Sequence, residues 1–172
     1  TGPTGILSMD PASGTVRTEG RVDDHGITEF QVFDDTLVIP GIQSTEDWSF
    51  GNVYVLGPGV WTKHRSLAKG LHVFSMAQYG KRWYASMHAL FGYPWHDATK
   101  GKGEPGVGMV VSSADQGKTW RFEYATACDI NVDGFATGLT PFKGRLYGFV
   151  SAQAFPNTNA FREAHGRDLP LR

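Results

Sequence analysis

The chain has 172 residues, 40% of them hydrophobic and 13% aromatic, which is enough apolar material for one sizeable core and too much for a disordered segment. A formal net charge of −1 with no block of like charges excludes a nucleic-acid groove or a polyanion-binding surface, and no apolar run is long enough for a membrane span. The single cysteine, Cys128, excludes an intrachain disulfide and every cysteine-based metal cluster within the chain; no cofactor is expected.

Read in chain order, the opening Gly2-Pro3-Thr4-Gly5 is a turn, and no signal peptide is recognisable at Thr1. Three similar units follow. The first runs from Gly5 through Asp10, turns over Pro11 to Gly14, continues at Thr15-Val16-Arg17, and later reads Phe30 to Ile39. The second starts at Gly51, turns over Gly57 to Gly59, continues at Val60-Trp61-Thr62, and later reads Val73 to Ala85. The third starts at Gly108, turns over Asp115 to Gly117, continues at Thr119-Trp120-Arg121, and later reads Phe135 to Gly148. Each apolar run is rich in Val, Tyr, Phe, Trp and Thr, and Asp-Asp, Gly-Lys and Lys-Gly pairs cut the runs apart, which predicts meandering antiparallel strands with no helix. The repeats lie near 5–50, 51–107 and 108–154, each suited to four short strands, with a longer loop near Tyr93 to Val107. Residues 155–172, with two prolines and little apolar periodicity, read as an irregular tail.

Residues Ser113, Asp115, Gly117, Thr119 and Trp120 spell S-x-D-x-G-x-T-W. This resembles the Asp box, or BNR repeat, of sialidase-type β-propellers, and the likeness extends over nearly the whole chain through the fainter turns of the first two units. The resemblance implies that the carboxylate and hydroxyls clasp a hairpin turn, that the glycine takes the positive-φ position, and that the tryptophan packs between blades, so the motif is structural. It also implies an all-β propeller segment of about three four-stranded antiparallel blades: two whole and two complementary halves. Three blades cannot close a ring, which needs at least about four. The expected partner is therefore either the remaining blades of a longer chain or a second copy of this one.

In the resembled family the Asp-box turns close one face and ligands bind on the other. That other face would collect Asp23-Asp24-His25, Lys69 to His72, Asp129 to Asp133, Glu46-Asp47-Trp48 and Trp95-His96-Asp97. Carboxylates beside aromatic rings suit a sugar or another polar ligand. Candidate catalytic carboxylates are Asp24, Glu46, Asp47 and Asp97, with Asp23 alongside, because a glycosidase needs one protonated acid and one carboxylate across the scissile bond. Candidate ligand-binding residues are Trp48, Trp95, His96, His72 and His25, although His25 and His72 each precede an expected innermost strand, where hydrogen bonding to a blade backbone is the favoured role. A metal site from His72, His96, Asp97 and Asp24 lacks supporting spacing. The early F/Y-R-I-P motif of sialidases is absent, and Arg65, Arg82, Arg121 and Arg145 form no evident triad, so sialidase activity is not expected. The reading is a binding or scaffolding module for a carbohydrate or protein ligand, in an extracellular or periplasmic location. A glycoside hydrolase using the loop carboxylates, or a structural subunit of a larger extracellular or membrane-associated assembly, are the alternatives.

Overall fold

The structure is a computed structural model that describes residues 3–46, 50–68, 70–90, 106–127, 136–150 and 155–156. Among these residues there is no helix. The strands are β1 (Thr4–Met9), β2 (Val16–Val22), β3 (Asp24–Ile27), β4 (Gln31–Phe33), β5 (Thr36–Ser44), β6 (Phe50–Leu56) and β7 (Trp61–Ala68). They continue with β8 (Gly70–Tyr79), β9 (Arg82–Leu90), β10 (Gly106–Ser113), β11 (Arg121–Ala127), β12 (Ala136–Phe142), β13 (Arg145–Val150) and β14 (Phe155–Pro156). The fold is all-β and antiparallel.

Pairing follows sequence order. A first meander runs β3/β4, β5, β6, β7; a second runs β8, β9, β10, β11; hairpins β1–β2 and β12–β13 flank them. In the first meander the initial strand is interrupted between Ile27 and Gln31, so β5 pairs with β3 along one half and β4 along the other. The expectation of separate four-stranded sheets needs one correction. β5 runs on past Pro40, and Ile42 pairs with His72 of β8, which merges the two meanders into one ten-stranded sheet that curls as an antiparallel half-barrel. Phe155–Pro156 pair with Thr126 and Ala127 at the end of β11, and residues 157–172 lie outside the described residues.

Turn chemistry explains the hairpins. Phe33↔Thr36, Tyr79↔Arg82 and Phe142↔Arg145 each close across two residues. The first of those two residues has positive φ each time: Asp34 at 50°, Gly80 at 61° and Lys143 at 45°. Two-residue hairpin loops demand that sign there because it matches the right-handed twist of the strands they join.

Side-chain alternation sends opposite faces of the first meander into different cores. Ile39 and Tyr54 of the first meander meet Ile6 and Val22 of hairpin β1–β2. The residues beside them, Val38 and Val53, face the other way and join Ala85, Met87, Met109, Val111 and Phe122 of the second meander in the main core. The leading strands lie side by side: Glu29 accepts from the Met76 backbone N–H at 2.9 Å, and the Leu139 backbone N–H donates to Ser75 Oγ at 3.1 Å. Consecutive units are therefore stacked through their faces and tied along their leading strands.

Candidate functional site

The loop-side end of the first meander holds a concentrated polar cluster. Asn52 and Tyr54 project from one face of β6, two residues apart, and register sets Lys63 and Arg65 of β7 directly opposite them, as Tyr54↔Lys63 and Asn52↔Arg65. Asp23 and Asp24 arrive on this face from the β2–β3 junction, and Glu46 from the residues after β5.

Asp24 is fully buried. Its Oδ2 accepts from Tyr54 Oη at 2.5 Å and from Asn52 Nδ2 at 2.7 Å, while Thr4 Oγ1 donates to its backbone carbonyl at 2.9 Å. Tyr54 Oη also accepts the Asp23 backbone N–H at 3.1 Å. Space for the carboxyl exists because residue 41 is glycine: a Cβ built there would lie 2.7 Å from Cγ, Oδ1 and Oδ2 of Asp24. Burial pushes the Asp24 pKa above the ordinary carboxylate value, against the opposing effect of the bonds from Tyr54 and Asn52. Burial, together with the neighbouring Asp24, also raises the Tyr54 hydroxyl far out of the physiological range. Asn52 Oδ1 is buried without a hydrogen-bond partner among the described residues.

Outside this closed knot lies a rim of ion pairs. Lys63 Nζ sits 2.6 Å from Asp23 Oδ2 and 3.0 Å from Glu46 Oε1, and Arg65 Nε sits 2.8 Å from Glu46 Oε2. Arg65 also stacks its guanidinium over Phe50, 5.6 Å from the ring centroid. Burial opposes the charge on Lys63, yet its bonds to Asp23 and Glu46 outweigh that effect and raise its pKa.

Of the sequence-predicted residues, the structure therefore brings Asp23, Asp24 and Glu46 together. Asp24 is enclosed, which suits a positioning group and not one that meets a substrate. His25 is exposed on β3. His72 on β8 stacks on His88, with ring centroids 5.9 Å apart, and burial and that neighbour lower its pKa. Asp47, Trp48, Trp95, His96 and Asp97 lie outside the described residues, as do Lys69, Cys128 and Asp129 to Asp133. Sequence reasoning missed Gly41, Asn52, Tyr54 and Lys63. A signal existed in Asn52-Val53-Tyr54-Val55, where polar groups alternate with valines on a strand.

The turn from Ser113 to Trp120 forms a second hydrogen-bonded knot. Ser113 Oγ accepts the Gly117 N–H at 2.8 Å and donates to Asp115 Oδ1 at 2.7 Å. Asp115 also accepts from the Thr119 N–H at 2.9 Å and Thr119 Oγ1 at 2.6 Å. Burial works against its charge, but these bonds win and hold its carboxyl below the usual value. Gly117 has φ 82°. The buried Trp120 indole donates to Ser66 Oγ of the preceding meander at 3.0 Å, and Ser66 Oγ donates to the Gly117 carbonyl at 2.5 Å. The turn after β1 has a simpler form, with Asp10 accepting from the Ala12 N–H at 2.9 Å and Ser13 Oγ at 2.7 Å. These groups are used up in holding backbone.

Among the described residues no three His, Cys, Asp or Glu side chains are grouped to hold a metal ion, and no helix is long and apolar enough to cross a membrane. No protein-family model, curated protein or solved structure matches the chain.

Proposed function

We propose that the chain is a segment of a sialidase-like, Asp-box β-propeller that serves as a binding or scaffolding module, taking a carbohydrate or protein ligand on its loop-side face in an extracellular or periplasmic setting. One observation carries the choice of binding over hydrolysis: every described loop carboxyl of the cluster is already engaged. Asp24 is shut beneath Tyr54, Asn52 and Gly41, while Asp23 and Glu46 are held by Lys63 and Arg65. A glycosidase needs one acid and one base or nucleophile open to the same sugar, across about 5–10 Å. The rim instead presents both signs of charge at fixed positions, suited to hydroxyl-rich or peptide ligands. The sequence pattern at Ser113 to Trp120, the stacked meanders and the aligned leading strands support the propeller reading, with the flanking hairpins as half blades.

The test is a glycan array and an affinity capture with immobilised chain, run beside hydrolysis of chromogenic glycosides. Saturable binding weakened by Lys63→Met, with no turnover, is expected. Turnover that disappears in Glu46→Gln or Asp97→Asn would overturn the proposal in favour of a hydrolase.

A further inference from the structure

Among the described residues the two meanders share one ladder bridge, Ile42↔His72. The row extends to both sides: Gly26 lies opposite Ile42, His88 opposite His72, and Gly108 opposite His88. Facing residues of paired strands project to the same side, so Ile42 and two imidazoles stand on one face between glycines that offer no side chain. The two rings are 5.9 Å apart and inclined by 21°, and Phe74 lies 5.6 Å from the His72 ring. His88 is 1% exposed and His72 is half-buried. We infer that this histidine pair is an acid-sensitive latch: proton uptake by the two rings releases the β5–β8 bridge and loosens the loop-side polar cluster, so that ligand capture there falls in acid. The last step rests on reading that cluster as the binding site.

The pair favours neutral rings. A charged imidazole here would have to shed its hydration, and a second proton would set like charges 5.9 Å apart. Burial, and after it the His88 ring, accordingly lowers the His72 pKa below the ordinary 6.5. The stability contributed by the closed latch is therefore present above 6.5 and is lost as pH falls through the lower folded value. Among the described residues no carboxylate is placed to reverse this. β5, β10 and β12, which pack around the two strands, carry no titratable side chain. Tyr79, Arg82 and Tyr84 of β8 and β9 sit at the opposite, turn end. On β3, His25 is exposed, and Asp24 is held by Tyr54 of β6 and by Asn52 against Gly41, whose face of β5 is opposite to that of Ile42. Glu29 is bonded to the Met76 N–H.

β5 connects the latch to the cluster. Gly41, beside Ile42, makes room for the Asp24 carboxyl, and Ser44 pairs with Asp24 along the ladder. Glu46 follows, holding Lys63 and Arg65. Thr28 Oγ1 donates to the Phe74 carbonyl at 3.3 Å and Glu29 binds Met76, so these ties still hold the leading strands when the bridge yields. Release therefore shifts the end of β5 and its partners without parting the meanders, a small two-state element biased by histidine charge.

The test is amide exchange of the full chain, corrected for intrinsic rates. If the released state has the ordinary value of 6.5, one ring can raise the opening constant by at most about 30-fold between about pH 7.5 and about pH 5. A loss of protection of about 5–30-fold is expected around Ile42 and His72, with the β6–β7 ladder unchanged. His72→Phe keeps a ring for stacking but takes no proton, and should remove most of that acid response; comparison with this variant also cancels the opposite trend contributed by Asp24. Imidazole titration of the parent chain by NMR, which needs no substitution, should place His72 below 6.5. Equal protection at both pH values, a His72 midpoint at or above 6.5, or an acid response that persists in His72→Phe would overturn the latch. A glycan array read at both pH values separates the two readings. Opening in acid with captured glycan still bound would leave the latch standing and remove the cluster as the ligand site.

Discussion

Replacing Gly41 by alanine isolates the packing around Asp24. The new methyl would lie 2.7 Å from three carboxyl atoms, where carbon contacts normally stand about 3.5–4.0 Å apart. The carboxyl cannot swing aside without leaving Tyr54 Oη and Asn52 Nδ2, which bond its Oδ2 at 2.5 and 2.7 Å. Either β5 moves away from β3, at an overpacking cost of about 1–3 kcal/mol, or those bonds are lost at about 1.5–3 kcal/mol each. A net destabilisation of about 3 kcal/mol is expected. In open space the same change would stabilise by about 0.4–1 kcal/mol through the unfolded chain, so the sign alone discriminates. Asp24→Ala should also destabilise, by stranding the tyrosine hydroxyl and the asparagine amide, yet it removes the collision. The double variant should therefore fall short of the sum by about 2 kcal/mol. Urea unfolding followed by tryptophan fluorescence measures all four corners. A Gly41→Ala cost under about 0.5 kcal/mol, or strict additivity, would refute this account of the site.

Three further outcomes follow from the same geometry. The raised Asp24 pKa means that the folded chain holds this proton more tightly than the unfolded chain; the stability it contributes is full below the ordinary value of 3.8 and is lost as pH rises through the higher folded value. Asp24→Asn should flatten that decline in urea midpoints, and an unchanged slope would count against Asp24 as its source. Asp115→Ala removes the acceptor for Ser113 and for both Thr119 donors and should cost about 2 kcal/mol in thermal melts. Because the Asp115 pKa is lowered, its contribution is present above 3.8 and disappears as pH falls through the folded value, so parent and variant should converge in acid. Lys63→Met should cost no more than about 1 kcal/mol, and less in high salt, since Asp23 and Glu46 are part-exposed; a larger, salt-insensitive loss would mean that the pair sits in a drier setting.

Much of the all-β organisation was legible because strand composition and two-residue turns are local properties. Asp-Asp, Gly-Lys and Lys-Gly mark the hairpins that the structure closes at Asp34, Gly80 and Lys143. The Ile42↔His72 bridge was not legible, since it depends on how far β5 runs past its turn partner and how the sheet curls. Within the candidate site, charge and loop position singled out Asp23, Asp24 and Glu46. Gly41 and Tyr54 stayed hidden because a glycine cradling a carboxyl and a tyrosine capping it are close approaches between β3, β5 and β6, and no spacing along the chain encodes them.

Among the described residues a single ladder bridge, Ile42↔His72, joins the two meanders, and this bears on cooperativity. Ladder hydrogen bonds hold each meander together internally, whereas the two are coupled mainly through side chains such as Val38, Val53, Met87 and Phe122. Stacked units of this kind behave as a short chain of coupled cooperative blocks, each with its own stability plus a nearest-neighbour coupling. Amide exchange should then show two protection plateaus, separable by weakening that shared apolar layer and not by altering any turn. Thinning it with Met87→Ala would let β3 to β7 open while β8 to β11 stay protected, so one molecule would melt in two steps.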